Sequence, residues 1–255
     1  MSVYETEPLL AQYLLLHYGD ANEVLPYAFG PQSALEFPRR CVEDLVARID
    51  VPPGARALDV GCSVGRASFE LARVCEEVIG VDFSESFVNA ALTLRDKAQL
   101  DYERPHEGDI TLRTTAVAPD RVDRHRIDFR VGDAMNLPAD LGQFDVLMAC
   151  NLICRLPDPM KFLDRAKQLV KPGGQLVITT PFSWLEDYTP RENWLGGLPD
   201  KSDSFLGLRS ALSADFKHEL TQDMPMLIKE HARKYQWTVV QGTRWRRKAS
   251  VPLDR

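Results

Sequence analysis

The run Leu58-Asp59-Val60-Gly61-Cys62-Ser63-Val64-Gly65-Arg66 sets three small residues at intervals of two, where a short apolar stretch gives way to helical spacing. Small residues there let the backbone turn tightly and approach a ligand, and the free amides of the following helix start attract negative groups. The pattern suits a nucleotide or adenosyl group, with a plain structural turn as the alternative. Asp82, with Phe83 beside it, ends the next apolar run, Glu77–Val81. A carboxylate at that place can take both hydroxyls of a ribose, or simply cap the helix that follows. Gly132-Asp133-Ala134-Met135 ends a third run and offers a carboxylate, a small residue and a flexible apolar one to the edge and faces of an adenine. Three such sites at three consecutive strand ends point to one shared ligand rather than three independent turns.

Two other chemistries fit the turn formally. Gly61-Cys62-Ser63-Val64-Gly65 matches the G-x-S-x-G elbow of a nucleophilic serine, but His218 and His231 follow in segments with no clear Asp-before-His arrangement. A nicotinamide oxidoreductase needs G-x-G-x-x-G spacing, which the interval-of-two series does not supply. Cys154 has no discernible base beside it, and no His, Cys, Asp and Glu set shows the spacing of metal ligands, so no metal is expected.

Positioning these residues requires alternating strands and helices. The sequence predicts strands at Ala55–Val60, Glu77–Val81, Ile127–Val131, Phe144–Cys150 and Gln175–Thr180. Helices are expected from about Arg66, from Glu85 to Gln99 and from Pro159 to Val170, with a turn at Lys171-Pro172-Gly173-Gly174. This alternation implies a mainly parallel sheet whose ligand lies at the carboxyl ends of the strands. Residues 1–50 read as a helical lid without strands: Leu9, Leu10, Tyr13, Leu14 and His17 recur at helical spacing, and a second helix is expected over Ala34 to Ile49. His17 on that stripe reads as a packing histidine. A polar, broken insertion is expected near 101–124, with a small strand at Ile110–Thr114; residues 51–181 then form the core. Residues 182–255 hold a loop, a helix near Met226–Lys234 and a β-rich run Trp237–Trp245. The chain is read as a single domain over 1–255.

Composition narrows the setting. Hydrophobic residues make up 44% and charged ones 27%, and 31 Lys and Arg against 37 Asp and Glu leave a charge of −6, which gives no general attraction for nucleic acid. Arg244-Trp245-Arg246-Arg247-Lys248 is the local exception, read as a solvated strand end with a phosphate- or RNA-binding patch as the alternative. No apolar run is long enough for a membrane span, and the acidic start Met1-Ser2-Val3-Tyr4-Glu5 lacks the regions of a signal peptide, so a cytoplasmic address is expected. Five cysteines without a C-x-x-C pair read as reduced thiols.

From Ala55 to Pro181 the motif set resembles the seven-stranded S-adenosylmethionine-dependent methyltransferases. The resemblance implies a Rossmann-like α/β fold: a seven-stranded, mostly parallel sheet with helices on both faces and an N-terminal helical lid. It implies S-adenosyl-L-methionine as cofactor and S-adenosyl-L-homocysteine as product. It puts Asp59 near the cofactor's amino group, Gly61, Ser63 and Gly65 around its amino-acid tail, Asp82 at the ribose, and Asp133, Ala134 and Met135 at the adenine. Asn151, after the fourth strand, would face both cofactor and substrate. Ser63 departs from the family's glycine but stays small.

Outside the core, Tyr4-Glu5-Thr6, the run 13–19, Leu25-Pro26-Tyr27, Phe29-Gly30-Pro31, Phe37-Pro38 with Arg40-Cys41, the run 151–156, the run 180–186 and Trp194-Leu195-Gly196-Gly197 resemble the methyltransferases of ovothiol biosynthesis. The likeness continues through Glu230-His231 and Tyr235-Gln236-Trp237 to Trp245-Arg246-Arg247. It implies methylation of the side-chain-proximal ring nitrogen of thiohistidine by a stand-alone enzyme, functionally linked to a separate sulfoxide synthase and a sulfur-transfer lyase. Such a site must present a ring nitrogen with a free lone pair, which a nearby carboxylate or tyrosine can help select. Tyr27, Phe29, Trp184 and Trp194 are candidates to wall the imidazole and screen the sulfonium, with Tyr188 in the same aromatic run. The two tryptophans could instead bury a long loop. Glu186 is the candidate partner for the substrate's amino group or a ring N–H, with a surface salt bridge as the alternative. Arg155 or Arg40 could meet a carboxylate bidentately, or be ordinary helix-surface arginines. Glu186, Tyr27 and Asn151 are thus the expected catalytic set. Another small amine, thiol or carboxylate acceptor fits the same residues, and so does a catalytically silent adenosyl-binding module.

Overall fold

The computed structural model describes residues 3–249; Met1 and Ser2 of the acidic start and residues 250–255 of the tail lie outside the described residues. The lid comprises α1 (Glu7–Tyr18), the single turn α2 (Ala21–Val24) and α3 (Phe37–Leu45). The third helix is shorter than its pattern suggests. Glu36 sits in the left-handed region at φ 53°, Pro38 lies in the first turn, and Val46 is already extended.

The core then alternates β1 (Arg56–Val60), α4 (Arg66–Leu71), β2 (Glu77–Asp82), α5 (Glu85–Lys97), the pair β3 (Gln99–Glu107) and β4 (Ile110–Val117), β5 (Ile127–Val131), β6 (Phe144–Cys150), α6 (Pro159–Leu169) and β7 (Val170–Thr180). It closes with α7 (Ser204–Leu212), β8 (Phe216–His231) and β9 (Lys234–Arg247). Seven strands form one sheet in the order β5-β2-β1-β6-β7-β9-β8, parallel except for the antiparallel β7–β9 and β8–β9 pairs. The central strands read as nearly unbroken apolar runs because both faces are covered. Ala57, Val146, Met148 and Val177 pack on the side of α1, α3, α4 and α5. Their alternating neighbours Leu58, Leu147, Leu176 and Ile178 pack on the side of α6, α7 and the fully buried Trp245.

Three expectations need correction. The segment Met226–Lys234 is not a helix: it forms the end of β8, the turn at Ala232-Arg233 and the start of β9, the two strands pairing from Phe216 opposite Arg247 to His231 opposite Lys234. Its helix-forming composition loses to fourteen paired positions and to burial of Met224, Met226 and Leu227. The insertion holds the expected strand at Ile110–Thr114 within β4, but it is otherwise no broken coil: β3 pairs with β4 in a two-stranded sheet, with Gly108 at φ 53° between them and a register shift that absorbs Pro105. Lys171–Gly174 continues into β7, with Gly173 at φ 80° and a register shift against β6, rather than forming a separate turn. The helix α7, capped by the Asp203 carboxylate on the Leu206 N–H at 2.8 Å, was not expected.

The basic run of β9 is neutralised within the fold. Arg244 and Arg246 share Glu219, Arg246 also reaches Asp50 at 2.6 Å, and Arg247 reaches Asp215 at 2.6 Å. Among the described residues no helix is long and apolar enough to cross a membrane.

Candidate active site

The chain passes from β1 to β2 and β5 on one side of the sheet, then from β6 to β7 on the other, so a crevice opens at the carboxyl ends of β1 and β6. There a cavity of about 760 Å³ lies between the strand ends, α1, the loops after β6 and β7, and the β8–β9 hairpin.

Its floor is acidic. Asp59 is buried at 1% exposure, accepts the Ser68 hydroxyl at 2.7 Å, and is pushed up to about 7 by burial, with the Asp82 charge adding to the rise. Asp82, half-buried at the end of β2, accepts the N–H of Ser63 at 2.8 Å and of Ser84 at 2.9 Å. Burial raises its pKa and the backbone N–H bonds oppose that rise. Between these carboxylates the chain turns through Gly61 at φ 75° and Ser63 at φ 52°. A side chain at Gly61 would come within 3.1 Å of Leu152. Asp133 folds its own loop by accepting the Met135 N–H at 2.8 Å. Phe83, Ala134 and Met135 line the same end of the cavity.

Asn151 joins this wall. It too is left-handed, at φ 52°, with its N–H donated to the Thr179 carbonyl at 2.8 Å and its side chain held between the Thr179 hydroxyl and the Met226 sulfur. Gly65 stands one step back from the cavity: it caps α4 at φ 91°, and any side chain there would meet the Phe129 ring at 2.6 Å. Its glycine is required by that backbone angle and by packing beneath the turn.

Among the described residues lining the cavity, Arg155 is the only Lys or Arg. Its guanidinium donates to the Ser183 carbonyl at 2.9 Å and lies 4.8 Å from the Tyr188 ring centroid. The Tyr4 hydroxyl belongs to the same group; burial and the neighbouring Tyr188 raise its pKa while Arg155 lowers it. The lid is fastened beside Asp82. The Tyr4 carbonyl accepts the hydroxyls of Ser84 and Ser86 at 3.0 and 3.1 Å, and the Glu5 carboxylate accepts the N–H groups of Glu85 and Ser86 at 3.0 and 3.2 Å.

The remaining expected substrate residues do not reach the cavity. Glu186 is exposed and faces Arg191 at 3.6 Å, a surface ion pair. Trp184 donates to the Ser204 hydroxyl at 2.9 Å, Trp194 donates to the Thr189 carbonyl at 2.8 Å, and the two rings stack at 6.3 Å, so they bury the long loop after β7. Tyr27 stacks on Phe29, which is 90% exposed, on a separate surface hollow with Tyr235 and Trp237. Arg40 ties α3 to β8 by donating to the carbonyls of Leu35 and Pro225. In their place stand Tyr13, His17 and Phe37 from the lid, and Met226, Ile228, Gln236 and Thr238 from the hairpin. Tyr13 and His17 were visible on the stripe of α1; the hairpin residues were hidden by the misread tail.

Residues 58–178 match the family model described as a methyltransferase domain. The ubiquinone biosynthesis O-methyltransferase of Xanthomonas campestris is 29% identical over 154 residues, which is 60% of this chain and 54% of that protein. The chain spans about half the length of the curated relatives it matches. Among solved structures, the magnesium protoporphyrin IX methyltransferase of Synechocystis with bound S-adenosylmethionine superposes with a TM-score of 0.52 at 14% identity, over 97% of this chain and 100% of that one. The N-methyltransferase NodS of Bradyrhizobium japonicum gives 0.50 at 16% identity, over 84% and 97%. These two are likenesses of fold.

The residues fit an adenosyl sulfonium. Two carboxylates, Asp59 and Asp82, line the cavity and would suit a ligand that carries an ammonium and a sulfonium.

Proposed function

We propose that this chain is an S-adenosylmethionine-dependent methyltransferase of the Rossmann-like superfamily, that it methylates a nitrogen of a small carboxylate-bearing metabolite, and that the acceptor is the imidazole of thiohistidine. Its cofactor is S-adenosylmethionine, which when bound supplies a methyl group made electrophilic by the positive sulfur. The observation that carries the acceptor class is the placement of Arg155 at the cavity wall, braced by the Ser183 carbonyl and the Tyr188 ring. A guanidinium held in this way offers paired N–H groups to a carboxylate. The sequence likeness outside the core supports thiohistidine within that class.

The chain's own residues position the acceptor more than they process protons. Asn151 is neutral and locked by Thr179, so it can orient a ring without competing for its proton. Met226 and Ile228 offer a polarizable wall to sulfur and keep water from the approach line. Holding nitrogen, methyl and sulfur in line can remove roughly 7–11 kcal/mol of the barrier.

A second acceptor class, another small amine, thiol or carboxylate metabolite, is favoured by the variety of the relatives, which include an O-methyltransferase and an N-methyltransferase by name. Supplying thiohistidine and histidine at equal concentration with S-adenosylmethionine, and assigning the product by NMR, separates the readings. Ring N-methylation of thiohistidine in strong preference is expected. A sulfur-methylated product, equal use of histidine, or cofactor binding without turnover would overturn it.

A further inference from the structure

One face of the β8–β9 hairpin borders the cavity. Met226 stands opposite Thr238 and Ile228 opposite Gln236, so two apolar side chains of β8 and two polar ones of β9 form one patch of the wall. The patch runs from the interior to the mouth. Met226 is buried at one end, where its sulfur accepts the Asn151 side-chain N–H at 3.3 Å, and Gln236 is exposed at the other, about 7 Å along β9 from Thr238.

The Gln236 amide has a fixed direction. Its Nε2 donates to Glu230 Oε1 at 2.8 Å, while Lys234 Nζ holds Glu230 Oε2 at 2.7 Å. These bonds, from Lys234 first and Gln236 second, keep the Glu230 carboxyl below its usual range, so it is charged at neutral pH. A carboxylate accepts and cannot donate, so the amide nitrogen is the end that turns to Glu230, and the oxygen is the end left for the cavity that Gln236 lines. The negative charge behind it also polarises the amide and strengthens that oxygen as an acceptor.

We propose that Gln236 selects an acceptor that carries an ammonium group, with its Oε1 accepting an ammonium N–H while Arg155 takes the neighbouring carboxylate, and that Glu230 is the positioning residue that keeps the amide in this direction. This role rests on the acceptor reading above and narrows it to α-amino acids. A ring placed at Asn151 and Met226 leaves the amino-acid end of the molecule toward the mouth, where Gln236 is exposed and Arg155 half-buried and where charged groups keep part of their hydration. A carboxylate without the amine loses one of its two holds.

Initial rates with S-adenosylmethionine give the KM of thiohistidine and the Ki of its desamino analogue, the thiolated imidazolepropanoate, for wild type, Gln236→Leu and Glu230→Gln. The Leu variant should raise the KM of thiohistidine about tenfold with kcat within about twofold, and move the Ki of the desamino analogue by less than about twofold. Glu230→Gln can offer its neighbour either an N–H or a carbonyl, so the Gln236 amide is free to turn over and the KM of thiohistidine should rise about threefold. An equal change for both ligands, or for neither, would overturn the role of Gln236, and Glu230→Gln with the wild-type KM would overturn that of Glu230. A wild type that neither methylates thiohistidine nor binds the analogue would instead overturn the acceptor reading and take this role with it. The Gln236 side-chain amide signals of ¹⁵N-labelled wild type report the same contact without a variant: they should move with thiohistidine and stay put with the desamino analogue, and the absence of that difference would refute the proposal.

Discussion

Asp82→Ala should weaken S-adenosylhomocysteine about a hundredfold while the protein stays folded. The Asp82 carboxylate spends a lone pair on each oxygen to hold the Ser63 and Ser84 N–H groups, which leaves acceptor capacity for two ribose hydroxyls. A hydrogen bond to a charged group contributes roughly 1.5–3 kcal/mol. Losing two at the low end gives about 3 kcal/mol, or roughly two decades in affinity. The cost to folding is smaller, because burial already raises the pKa of this carboxyl and removing its charge relieves the buried Asp59. Asp82→Asn keeps one acceptor oxygen and should fall between wild type and Ala. Calorimetry on all three proteins, with thermal unfolding as the control, measures both quantities. A folded Ala variant with affinity within twofold of wild type would refute the ribose assignment.

Asp59 makes stability depend on pH. Its pKa rises from 3.8 to about 7 on folding, so its contribution is fully present below the unfolded value and is lost as pH rises through 7, a loss of about 4 kcal/mol. The unfolding temperature of Asp59→Asn relative to wild type should therefore climb between pH 5 and pH 8; parallel profiles would contradict this. Trp184→Ala should cost about 3–5 kcal/mol of stability, lowering Tm by roughly 10 °C, with little change in S-adenosylhomocysteine affinity at low temperature. Glu186→Gln should leave kcat/KM within about twofold, and a tenfold fall would return that residue to the reaction.

The cavity wall at the ends of β1, β2 and β5 was legible in the sequence because its residues close strands. Asp82, Asp133 and the Gly61–Ser63 turn follow apolar runs whose ends are fixed by burial on both faces, so position in the chain already fixes position in space. The acceptor end was not. Trp184, Glu186 and Trp194 lie in a loop without periodicity, and nothing in their order says which way a ring turns once Ser204 and Thr189 supply partners. Met226, Gln236 and Thr238 were lost with the hairpin, whose turn at Ala232-Arg233 carries none of the Asn-Gly chemistry that announces one.

The fastening of Tyr4 and Glu5 onto Ser84, Glu85 and Ser86 has a kinetic consequence. The same Ser84 that gives its hydroxyl to the lid gives its N–H to Asp82. A ligand that engages Asp82 would therefore also bear on the latch above it. Because Tyr4 also lines the cavity, opening the wall at this place would break four hydrogen bonds. Removing the Glu5 carboxylate is therefore expected to speed release of S-adenosylhomocysteine more than it weakens its binding, through bonds gathered at the start of α5.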